Sequence, residues 1–211
     1  MSLRKNVVAT LITYLIVYLL PTVINLVLHL GSHIYWVQTI DYIIGALILT
    51  YFYWRTKDRP TLEQKSVKGS RVILWGLLGV IAALAAQYLA NMIDLALFHS
   101  IPNSTNTATI LTVIKSYPVY ILATIIAAPI MEELVFRRTI FGSLAPFTGN
   151  VGAALIASVM FAMAHNDGHL LVYTAIGLVF CYLYQKTGRI QTSIISHMLM
   201  NALVIGISLW H

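Results

Sequence analysis

Apolar runs as long as a bilayer is thick recur along this chain, and no other feature limits its fold as strongly. A hydrocarbon core of roughly 30 Å takes about 20 residues of α-helix to cross. Runs of that kind cover about residues 7–30, 35–54, 72–98, 117–142 and 190–210, with shorter ones at 151–165 and 170–185. They are continuous rather than alternating, which excludes a closed β-barrel. With 59% hydrophobic and 9% charged residues and a mean hydropathy of +0.81, the chain lacks the polar surface of a soluble domain. The expected fold is all-α: one transmembrane domain over residues 1–211, a bundle of about seven helices. The first run is too long for the apolar region of a cleaved signal peptide and reads as a retained helix. The single cysteine, Cys181, lies within an apolar run, so no internal disulfide forms.

The net charge of +6 is a topology signal rather than a nucleic-acid footprint. Arg4 and Lys5 precede the first run, and Arg55, Lys57, Arg59, Lys65, Lys68 and Arg71 fill one loop. Arg137 and Arg138 close the fourth run, and Lys186 and Arg189 flank the turn "KTG". Placed on one side, these leave only Lys115 over, the positive-inside pattern with a cytoplasmic N-terminus. The expected partner on this evidence is membrane lipid, with no nucleic acid. "HSIPNSTNTAT", residues 99–109, reads as an uncharged outer loop, and "GSLAPFTGN", residues 142–150, as a break rich in turn-formers. "HNDGH" after the short fifth run marks a turn lining a wet cavity, since irregular backbone at membrane depth must face protein or water.

Polar residues inside the runs are the candidates for chemistry, because an ionised carboxylate at membrane depth costs at least about 2.5–3.5 kcal/mol. "PIMEELVFRR" sets Glu132 beside Glu133, with Arg137 following. Phe161 precedes His165 by one turn, as His197 precedes Asn201, and each such pair shares a helix face. At 1.5 Å per residue, Glu132 lies roughly 15 Å, His197 roughly 13 Å and His165 roughly 21 Å from the basic end. The three are expected to meet in one layer of a cavity opening toward the cytoplasm. Adjacent helical residues diverge by about 100°, so the two glutamates are not expected to serve one site equally. Glu133 pairs with Arg137 along the helix as structural support, and Glu132 looks into the bundle. Pro129 removes a backbone donor and kinks the helix. Phe161 reads as packing around the site.

Together "EELVFR", "FAMAH" and "HMLMN" resemble the three motifs of the CAAX-protease and bacteriocin-processing family, the Abi intramembrane proteases. The resemblance covers about residues 115–205, and residues 1–114 carry none of its motifs. It implies a peptidase acting on a peptide or protein substrate, in which Glu132 and His165 activate water while His197 and Asn201 stabilise the oxyanion. It also suggests a bacterial plasma membrane and a role in bacteriocin processing or self-immunity. General-base help of about 10²–10⁴-fold suits the first pair, and donors worth about 10²–10³-fold each suit the second.

Other functions compete. One carboxylate with two histidines is also the donor set of a zinc peptidase, although there is no His-Glu-x-x-His; a metal-free, cofactor-free mechanism is preferred. A proton-coupled transporter would use intramembrane Glu and His as well, but the chain has no internal repeat. A non-catalytic immunity protein that binds a peptide in the same cavity would tolerate loss of Glu132.

Overall fold

The computed structural model describes residues 1–98 and 104–210 and is helical throughout, with no strand among the described residues. Helix α1 spans Leu3–Leu28, and α2 spans Ile34–Arg55 after a short 3₁₀ turn at Gly31–His33. The basic loop carries a second 3₁₀ turn, Thr61–Glu63, before α3, Gly69–Phe98. A short α4, Thr105–Ser116, is followed by one long helical run, Tyr120–His165, then α8, Leu170–Thr187, and α9, Ile190–Trp210.

Six of these segments are long and apolar enough to cross a membrane. The count becomes seven once the long run is divided at Gly149, whose backbone (φ 72°, ψ 167°) leaves helical space altogether. That conformation is open to glycine and costly for residues with a Cβ. The break expected over residues 142–150 is thus confined to one residue, with helical backbone continuing past Pro146. The expected outer loop is corrected too. Ser104 caps α4 by accepting the Thr107 amide N–H, so residues from Thr105 onward are helix, and residues 99–103 lie outside the described set.

Within the long run the order is α5 (Tyr120–Leu122), a π-helical segment Ala123–Ala127, α6 (Ala128–Glu132), a second π-helical segment Glu133–Phe141, and α7 (Gly142–His165). Wide π turns are rare and gather at functional sites. Glu132 and Glu133 straddle the junction where the second one begins.

Large apolar side chains cover the outside, among them Leu15, Ile16, Leu26, Leu47, Ile81 and Leu89. In water such a surface would aggregate; in a bilayer it faces lipid. The interior holds Met131, Val135, Phe136, Phe141, Phe161, Phe180 and Tyr184. Small residues bring backbones together as membrane helices require. At Gly177 of α8, an added Cβ would lie 2.8 Å from the Ser158 side chain of α7.

Candidate active site

The two glutamates converge on a single imidazole. Oε1 of Glu133 accepts the Nδ1–H of His197 at 2.9 Å, and Oε2 of Glu132 stands 3.7 Å from Nε2 of the same ring. Both carboxylates reach His197, because the ring offers a nitrogen to each of two diverging side chains. They differ in environment. Glu133 is fully buried, whereas the Glu132 side chain keeps 18% of its exposure and lines the cavity.

Glu133 also pairs with Arg137, NH1 to Oε1 at 3.0 Å, in an ion contact lacking the angle of a hydrogen bond. The guanidinium is fully buried, 4.2 Å above the Phe161 ring and 5.2 Å from that of Phe180. Aromatic faces thus replace much of its lost hydration. Phe180 also stacks on His197 at 4.8 Å, so Phe161 and Phe180 form the floor under both the guanidinium and the imidazole. Phe180 escapes notice in the sequence because it is one apolar residue among many.

His165 ends α7. Its Nδ1 lies 2.9 Å from the Phe161 carbonyl. A carbonyl only accepts, so Nδ1 carries a proton, and it is Nε2 that holds the lone pair when the ring is neutral. The ring stacks on Tyr173 at 3.9 Å between centroids. The Tyr173 hydroxyl donates to Asp167 at 2.9 Å, as does the Ser104 hydroxyl at 2.6 Å. Asp167 thus ties the turn after His165 to α8 and to the start of α4. Sequence reading assigned it no role, since only the turn itself is visible there.

Asn201 is held by the irregular helix opposite. Its Nδ2 donates to the Thr124 carbonyl at 3.1 Å. In the first π segment the Ala128 N–H bonds the Ala123 carbonyl, five residues back. In that register the Thr124 carbonyl would await residue 129, and Pro129 has no N–H to give. Pro129 therefore frees the acceptor that positions Asn201.

Glu132, His165, His197 and Asn201 all line one cavity of about 310 Å³. Its further walls come from Tyr14, Tyr18, Tyr42, Gln87, Asn91 and Asn106, among others. The described residues contain no group of three or more His, Cys, Asp or Glu side chains arranged to hold a metal ion.

Polar side chains also line the cavity away from the catalytic layer. Gln38 of α2, Gln87 and Asn91 of α3, Ser104 and Asn106 at the start of α4, and His169 before α8 all belong to the end opposite the basic loop. Depth was measured from the basic end, and His165, the deepest of the three by that count, lies nearest the other.

Comparison with known proteins identifies relatives of this chain. A family profile described as type II CAAX prenyl endopeptidase, Rce1-like, matches residues 114–203. The chain is 30% identical over 199 residues to the membrane-embedded CAAX protease MroQ of Staphylococcus aureus, covering 90% of this chain and 81% of that one. It belongs to the Rce1-like CAAX protease family. The putative membrane peptidase YdiL of Bacillus subtilis is 40% identical over 165 residues, 77% of this chain and 67% of YdiL. A UPF0177 protein of Lactococcus lactis, YxdF, is 33% identical over 138 residues, 61% of this chain and 73% of its own. No solved structure matches. As a member of the Rce1-like family the chain is a membrane peptidase, and the profile's span contains all four cavity-lining candidates.

Proposed function

We propose that this Rce1-like peptidase is a metal-free intramembrane endopeptidase that cleaves membrane-associated peptides with water activated by Glu132 and His165. The observation that carries the proposal is the 3.7 Å approach of the Glu132 carboxylate to His197 in the one cavity that His165 and Asn201 also line. Water held there gives a proton to Glu132, aided by the free Nε2 of His165, as its oxygen adds to the peptide carbonyl. The proton then passes to the departing amine as the carbon–nitrogen bond breaks. His197, with Nδ1–H committed to Glu133, donates from Nε2 only as an imidazolium. Glu133 and Arg137 cancel one another, which leaves the charge of Glu132 to balance that cation. The second N–H of Asn201 completes the oxyanion site.

The cell envelope of a bacterium suits the chain, since the relatives named above come from bacteria. The basic end is the cytoplasmic one by the positive-inside rule, with the N-terminus on that side. Processing of bacteriocin-like peptides, or self-immunity to them, is the physiological role in keeping with this reading.

The test is cleavage of candidate peptides by purified protein in proteoliposomes. Glu132→Gln and His165→Ala are expected to lose about 10²–10⁴-fold in rate while remaining folded. Activity that survives exhaustive chelation supports the metal-free mechanism. Unchanged cleavage by Glu132→Gln would end the proposal.

A further inference from the structure

We propose that Glu63 is a positioning residue for peptide hydrolysis: through Arg138 it holds the π-helical segment Glu133–Phe141 in the register that brings both glutamates to His197. The proposal rests on the peptidase reading above and adds to it a residue outside the matched span. The Rce1-like profile begins at residue 114, whereas Glu63 belongs to the loop between α2 and α3.

A π-helical segment of this length needs support from outside itself. Its hydrogen bonds reach five residues back, as where the Gly142 N–H meets the Arg137 carbonyl, and such turns mostly occur singly. This one spans 9 residues. Two consecutive arginines brace it in different directions. Arg137 turns to Glu133 and the aromatic floor, while Arg138 turns to the basic loop. Arg138 Nε donates to Oε1 of Glu63 at 3.1 Å, and its Nη1 donates to Asn6 of α1 at 2.7 Å. The same guanidinium lies 4.8 Å over the Tyr53 ring of α2. The side chains of Arg138 and Glu63 are almost fully buried, so solvent does not stand in for either partner.

The far end of the segment returns to the same carboxylate. Phe141 meets the Tyr184 ring edge-on at 6.2 Å between centroids, and the Tyr184 hydroxyl donates to Oε1 of Glu63 at 3.0 Å. Pro60, in the same loop, lies against the next residue: a Cβ at Gly142 would stand 3.6 Å from its side chain. The segment is thus pinned at its start by His197, 2.9 Å from Glu133, and toward its end by the loop, through Arg138 and Phe141. Glu132 immediately precedes it, and its 3.7 Å approach to the same imidazole depends on where that register begins. Without the link to Glu63 the end loses its anchor. A return from five-residue to four-residue hydrogen bonds then rotates the start of the segment against its end. Reacting groups displaced by about 1 Å lose roughly 10²-fold in rate.

Glu63→Gln alone leaves the Arg138 cation unpaired and can fail for want of stability, so the test joins it to Arg138→Met. The double variant leaves neither charge of the pair behind, and an apolar side chain takes the space of the guanidinium. Two readings are taken on the purified full chain in detergent. The first is the ring N–H resonance of His197 by NMR, identified by its absence in His197→Gln. It is expected to shift in the double variant, because the bond from Nδ1 to Glu133 is disturbed. A resonance unmoved from wild type overturns the proposal. The second is cleavage of an internally quenched peptide. The kcat of the double variant is expected to fall roughly 10–100-fold with KM unchanged, while its thermal midpoint recovers from that of Glu63→Gln toward wild type. A kcat held at the wild-type value, or one that recovers along with the midpoint, means that Glu63 only stabilises, and the proposal falls. A wild type that cleaves no peptide ends the peptidase reading alone, because the His197 resonance still decides whether Glu63 sets the segment.

Discussion

Glu132 and Glu133 are neighbours of one chemical type, and their environments separate them. Glu133 balances a guanidinium with no exposure and orients His197, so Glu133→Gln leaves a buried cation uncompensated. Breaking such a pair from one side costs about 3–5 kcal/mol. Glu133→Gln is therefore expected to lower the thermal midpoint in detergent and to abolish cleavage. Glu132→Gln is expected to abolish cleavage with the midpoint unchanged, because that carboxylate faces the cavity with no ion pair closer than 3.7 Å. Melting and cleavage measured on the same preparations check both, and equal midpoints for the two variants would contradict the assignment. The pairing of Glu133 with Arg137 was legible, since residues four apart share a helix face. Its bond to His197, 64 positions away, was not, because nothing local to either residue encodes it. Tyr173 offers a graded test beside them. Tyr173→Phe keeps the stack on His165 and loses only the bond to Asp167, a change of about 0.5–1.5 kcal/mol. Tyr173→Ala removes the stack as well, and kcat is expected to fall for it far more than for the phenylalanine variant.

Among the elements, the run from Tyr120 to His165 departs furthest from regular geometry, and its irregularities have separate causes. Gly149 reverses the chain because its backbone reaches a region closed to other residues. Pro129 withholds the N–H that the π register would give Thr124, and Asn201 of α9 fills the gap. The missing donor at Pro129 was legible in the sequence. The π segments were not, since their register depends on partners elsewhere in the bundle. Helix α4 was misread as loop because its Ser, Thr and Asn suit turns as well as helix starts, and only the Ser104 cap decides. A prediction belongs to this scale. Pro129→Ala returns a donor that competes for the Thr124 carbonyl, so Asn201 swings out of position. Displacing a catalytic group by about 1 Å costs roughly 10²-fold. Asn201→Ala should lose a similar factor, and the double variant should be no worse than either alone, because both act through one bond. Multiplying losses would show that Pro129 acts by another route.

For the molecule as a whole, the two ends of the bundle are built for opposite purposes. One carries a cavity whose polar walls reach from the catalytic layer outward. The other carries a network centred on Glu63, a residue of the basic loop that sequence reading passed over as one acid among many cations. Two of its ion pairs share that carboxylate and differ in burial. Arg138 is 2% exposed and Arg59 44% exposed. An exposed pair with a mobile side chain contributes about 0–1 kcal/mol, while removing one partner of a buried pair costs about 3–5 kcal/mol. Arg59→Ala is thus expected to leave the thermal midpoint almost unchanged, and Arg138→Ala to lower it clearly. Raised salt should erase the small Arg59 effect and leave the Arg138 effect in place, because mobile ions screen the surface pair alone. Thermal unfolding of both variants at low and high ionic strength reads this out. Equal, salt-sensitive losses would mean that solvent reaches the Glu63–Arg138 pair and that its burial does not protect it.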